Sequence, residues 1–115
     1  MIQRFETNHR RSRAVVHNGV VYLAGQVARD PSGDIARQTK EALENVDEML
    51  ALAGTDKSRV LSATIWLRDM ADFQGMNAVW DAWIDPENPP ARCCGQVSMA
   101  RPELRIEVMI TCAAG

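Results

Sequence analysis

The sequence predicts an α+β domain in which two helices cover one face of a mixed β-sheet. Three observations carry that expectation. Two segments repeat apolar residues at intervals of three and four, as amphipathic helices do. The other apolar segments are short, rich in branched side chains and bounded by turn residues, as strands are. The order in which they alternate is strand, hairpin, helix, strand, helix, strand, strand.

The first strand, "MIQRFE", is short and charged and suits a sheet edge. "AVVHNGVVYLAGQV" reads as a hairpin because Asn18-Gly19 favours the two-residue turn with positive φ. The first helix is expected from Asp34 to Ala53, with Ile35, Thr39, Ala42, Leu43, Val46, Leu50 and Ala53 on its stripe. Ser32, Gly33 and Asp34 provide its turn and N-cap, and Gly54 its stop. "RVLSATIWL" follows as a buried strand. The second helix is expected from Met70 to Ile84, capped by Asp69 and ended before Pro86, with Phe73, Met76, Trp80 and Trp83 on one side. "RCCGQVSM" and "LRIEVMITC" are the last two strands, separated by a turn at Ala100–Glu103.

The 115 residues make one domain, 1–115, without repeats or low-complexity tracts. A net charge of −2 argues against a dedicated nucleic-acid surface. No apolar run is long enough for a membrane span. The start is polar rather than signal-like, so a cytoplasmic location is expected. The three cysteines do not form a disulfide framework, and Cys93-Cys94 lack metal-ligand spacing and nearby histidines. Cys93 and Cys112 are read as small core residues.

Strand alternation sorts the remaining candidates. Arg92, Cys94 and Gln96 share one face of their strand, and Cys93 the other. In the last strand Ile106, Val108, Ile110 and Cys112 should meet the helices, leaving Arg105, Glu107, Met109 and Thr111 on the far side. Charges on the uncovered face of a central strand are costly unless they line an interface or a cleft. Two uses fit the pattern. Arg92 can grip a carboxylate with Glu107 orienting or protonating a reacting group, or the two can form an interface salt bridge. Gly25, at the end of "VYLA", permits close backbone approach to a ligand, or is simply a turn.

"VYLAGQV", "DFQGMNAVW", "PPARCCGQV" and "LRIEVMITC" together resemble the YjgF/RidA family of reactive intermediate deaminases, over Arg13 to Ala113 and in the family's order. That resemblance implies a chorismate-mutase-like fold and a homotrimer whose sheets form a central barrel, with clefts between subunits. It implies hydrolysis of enamines and imines such as 2-aminoacrylate to 2-oxo acids and ammonia, as by a 2-iminobutanoate/2-iminopropanoate deaminase, with no cofactor or metal. The expected partners are then the small 2-imino or 2-oxo acid and two further copies of the chain, with neither nucleic acid nor membrane. It implies that Arg92 holds the substrate carboxylate, that Glu107 positions water, that Cys94 offers main-chain contacts, and that Gly25 and Asn77 line the cleft. Where many of the deaminases carry a hydroxyl residue before the glycine, this chain has Ala24, and where many have Gly-Pro-Tyr it has "RRSR" with Arg11 and Arg13. Gln96 stands where many carry glutamate. The alternative reading is a non-catalytic trimer that binds small carboxylates such as 2-oxo acids. A third is a divergent hydrolase or mutase that uses the N-terminal arginines for a larger anion.

Overall fold

A computed structural model describes all residues, 1–115. The strands are β1 Gln3–Phe5, β2 Ala14–His17, β3 Val20–Leu23, β4 Val60–Leu67, β5 Ala91–Gln96 and β6 Ile106–Ala113. The helices are α1 Ile35–Leu52 and α2 Phe73–Trp83. The six strands form one sheet in the order β1-β2-β3-β6-β4-β5. Only β4 and β5 run parallel, because α2 carries the chain across between them. The last strand is thus inserted at the centre, between β3 and β4.

Local chemistry sets the elements. Asn18 and Gly19 both have positive φ, 49° and 77°, and close the β2–β3 hairpin as expected. The Asp34 carboxylate accepts the Arg37 N–H at 2.9 Å and caps α1. At the other end Gly54 turns left-handed at φ 84°. Its N–H donates to the Ala51 carbonyl and that of Thr55 to Leu50, the paired bonds of a Schellman stop. The second helix starts later than its pattern suggests. Residues Met70–Asp72 wind as a tighter 3₁₀ turn, capped by Asp69 on the Ala71 N–H, before α2 proper begins.

The core lies between helices and sheet. Leu43, Val46, Met49 and Leu50 of α1 and Met76 and Trp80 of α2 meet Ala63, Ile65, Leu67, Ile106, Val108, Ile110 and Cys112. Strict alternation of buried and half-buried residues along β6 places Glu107, Met109 and Thr111 on the face without helices. The molecule measures 42 × 37 × 20 Å. Its thinnest dimension is what one sheet and one helix layer occupy at about 10 Å each, so no second layer covers the open face.

Two expectations need correction. Cys93 is exposed on the open face, its Sγ 3.7 Å from Thr64 Oγ1, because β5 is an edge strand with nothing packed over that side. Arg105 does not join Glu107 on that face. It precedes β6, and its guanidinium reaches back to Asp72 at 3.7 Å, at the entry to α2.

Candidate active site

Two groups of the expected residues come together in this chain, on opposite faces of the sheet. The first is built around Gly25. Tyr22 of β3 faces Thr111 of β6, yet Gln26 faces Val108, so four steps along one strand oppose three along the other. This bulge places Ala24 and Gly25 beside Glu107. A methyl group on Gly25 would lie 2.7 Å from the Glu107 carboxyl carbon, and closer still to Oε2. Glycine is therefore what lets the half-buried carboxylate lie flat against the backbone. Gln26 is 4 % exposed, and its Nε2 donates to the Ala24 carbonyl at 2.9 Å, fixing the bulge. Glu107 itself forms no ion pair within the chain.

The second group sits at the β5 edge on the helix side. The register pairs Arg92 with Ala63 and Cys94 with Ile65, both core positions of β4. The Arg92 guanidinium lies 5.3 Å from the centre of the Trp80 ring, and its Nη1 is 3.8 Å from Met76 Sδ. The aromatic platform holds the cation without neutralising it. No carboxylate of the chain pairs with Arg92, which stays exposed. Cys94 packs against the core, and burial pushes its thiol up, with nearby Arg92 partly opposing that rise. A thiol held neutral in this way is a poor nucleophile. The Cys94 main chain is better placed than its side chain. The Val97 N–H donates to Leu67 of β4 at 3.0 Å. Backbone amides alternate along a strand, so the amide of Cys94, three residues earlier, points to the free edge.

Asn77 is on α2, the helix whose Trp80 ring holds Arg92. It lies one turn before Trp80 on α2, and its Oδ1 is buried with no hydrogen-bond partner. Gln96 is taken up structurally, since its Oε1 accepts the Met70 N–H at 3.0 Å.

Arg92 and Glu107 do not form a salt bridge within the chain. In register they are three residues apart along the strands and two strands apart across the sheet. That is about 10 Å in each direction, with the side chains on opposite faces. One small molecule cannot touch both within one copy. No group of three or more His, Cys, Asp or Glu side chains converges as a metal site. No helix is long and apolar enough to cross a membrane.

Comparison with known proteins gives the family. The family model described as endoribonuclease L-PSP matches residues 1–114. A RutC family protein of Haemophilus ducreyi is 42% identical over 113 residues, covering 98% of this chain and 97% of that protein. The human 2-iminobutanoate/2-iminopropanoate deaminase is 35% identical over 103 residues, covering 84% of this chain and 74% of its own length. A crystal structure of a YjgF family member from Neisseria meningitidis superposes with a TM-score of 0.97 at 43% identity, covering 100% of this chain and 96% of that one. With the expected mixed sheet, the two helices on one face and near full-length matches to its members, this chain belongs to the YjgF/RidA family.

Proposed function

We propose that the chain is a hydrolase of small 2-imino acids, releasing 2-oxo acids and ammonia in clefts between subunits of a homotrimer. The observation that carries this reading is the division of the site. An unpaired arginine sits at one edge and an unpaired carboxylate beside a bulge on the other face, so each is complete only against a neighbouring copy. The naming of a human relative as an imine deaminase supports the same chemistry.

In this reading Arg92 grips the substrate carboxylate through its fork, and the Cys94 amide at the free edge adds a second donor. Asn77 on α2 brings an unpartnered amide oxygen, an acceptor suited to an N–H of the substrate rather than to its carboxylate. Gly25 and Ala24 of the neighbouring copy keep the opposite wall low. Glu107 accepts a proton from water as the water oxygen bonds to the imine carbon. With the imine nitrogen protonated on entry, this gives a neutral carbinolamine. Glu107 returns the proton to its nitrogen, then takes the hydroxyl proton as C=O forms and the C–N bond breaks. Ammonia leaves, carrying that proton away, with the 2-oxo acid behind. Fixing the carboxylate and the water relative to each other turns an encounter of two molecules into a positioned step.

The test generates 2-iminopropanoate in situ and follows 2-oxo acid release. Wild type should accelerate it above the spontaneous rate. Glu107→Gln should lose about 10²–10⁴-fold, the usual share of a positioned acid–base group, while still binding the 2-oxo acid. Arg92→Ala and Arg92→Lys should both be severely impaired, because lysine lacks the planar fork. No acceleration by wild type, with 2-oxo acid still bound through Arg92, would leave a carboxylate binder instead. Full activity in both Arg92 variants would remove the grip.

A further inference from the structure

The mouth of the Gly25 half-site is basic. A depression of about 220 Å³ beside the bulge is lined by Arg11, Arg13, Ala24, Gly25, Gln26 and Asn45 among others. Its two arginines are held in different ways. Arg13 is fixed and offset, with Nη1 2.9 Å from Glu6 Oε1 and Nη2 donating to Gln26 Oε1 at 3.0 Å. Arg11 is mounted but not neutralised. The Asn8 side chain accepts the N–H groups of Arg10 and Arg11 at 2.7 and 2.9 Å, which sets the turn that carries it. Its guanidinium meets no carboxylate, only the Glu6 carbonyl at 3.4 Å. From Glu6 to Arg13 three arginines face one glutamate, in a chain whose net charge is −2.

We infer that the site takes 2-imino acids bearing a second carboxylate on the side chain, with Arg11 as the residue that selects it. This rests on the proposed reaction, in which the substrate's own carboxylate goes to Arg92 and the imine carbon lies by Glu107. The substrate side chain then projects toward the bulge, where Ala24 leaves room and contributes no hydroxyl. An unpaired guanidinium there matches a carboxylate with two parallel bonds, which a neutral side chain cannot reproduce. An uncharged side chain would leave Arg11 facing only solvent. Oxidation of acidic amino acids at Cα, or loss of water from their β-hydroxy derivatives, is the class of reaction that supplies such imines.

The experiment compares 2-iminosuccinate, 2-iminoglutarate and 2-iminopropanoate, generated in situ by an amino-acid oxidase from aspartate, glutamate and alanine. A parallel calorimetric titration compares oxaloacetate with pyruvate. Wild type should favour the dicarboxylic members by about 10–100-fold in kcat/KM, mostly through KM, and should bind oxaloacetate more tightly by a similar factor. Arg11→Ala should reduce both preferences to within a few-fold, and Arg11→Lys should keep part of them. Arg11 is exposed and makes one long bond, so circular dichroism should show these variants folded. A wild-type preference for the monocarboxylic substrate, or one that Arg11→Ala leaves unchanged, overturns the inference while the hydrolase stands. Arg11-dependent preference for oxaloacetate without hydrolysis of any imine removes the hydrolase and keeps the inference.

Discussion

A methyl group at Gly25 has nowhere to go except into the Glu107 carboxylate. Backbone freedom is not the reason for glycine here, since its φ is not positive. The reason is volume. Gly25→Ala should therefore leave the fold and the Arg92 half intact but displace Glu107 by an ångström or more. A shift of that size at a reacting centre costs about 100-fold. The expected result is an imine-hydrolysis rate lowered by that order, with an unchanged circular dichroism spectrum and retained 2-oxo acid binding. Wild-type rate in this variant would show that Glu107 does not need its place. Sequence spacing could rank Arg92 and Glu107 as unusual, because each is a charge on a strand. It could not pair Gly25 with Glu107, since a bulge changes the register by one residue and no local signal announces it. Cys93 departs from its expected core position for a related reason. Alternation assigns it a face but does not say whether anything covers that face.

Among the elements, the periodic ones were legible and their fastenings were not. The hairpin turn, both ends of α1 and the buried face of β6 follow from rules that act within a few residues. Gln38 does not. It stands outside the apolar stripe read from the sequence, yet it is only 1 % exposed. Its Nε2 lies within hydrogen-bond distance of the carbonyls of Pro31, Gly33 and Glu103, and its Oε1 accepts the Arg105 N–H at 2.8 Å. One side chain thus ties the loop before α1 to the loop before β6, the two segments that flank the Glu107 strand. Gln38→Ala would strand several buried backbone groups at about 1–3 kcal/mol each, discounted where water enters. Asp34→Ala removes one exposed cap worth about 1 kcal/mol. Urea unfolding should rank Gln38→Ala as the more damaging, by at least about 1 kcal/mol. The reverse order would mean that water replaces the glutamine without loss.

For the whole molecule the informative feature is the face that no helix covers. Both helices lie on one side, so α1 and α2 bury Ile106, Val108 and Ile110 while Glu107, Met109 and Thr111 remain half-buried on the other. The register carries that face across the sheet, from Tyr22 opposite Thr111 to Met109 opposite Thr64, and on to Cys93. Tyr22 is 50% exposed there. A central strand with an apolar and hydroxyl face open to water is a poor end state for a chain of 115 residues, which buries only about two-thirds of its unfolded surface alone. Closing three such sheets around an axis covers the face of each. It would also supply the neighbour that the proposed site requires, since Arg92 sits at the β5 edge and Glu107 at the sheet centre. Native mass spectrometry should then give three times the 12.8 kDa chain mass. Met109→Lys, which introduces an unpaired charge at the middle of the covered face, should cost several kcal/mol per copy and shift the population to smaller species. In the proposed arrangement the two halves of the site come from different copies, so hydrolysis should fall in step with the trimer fraction as the variant is diluted. A wild-type monomer that retains full activity would refute both the assembly and the shared site.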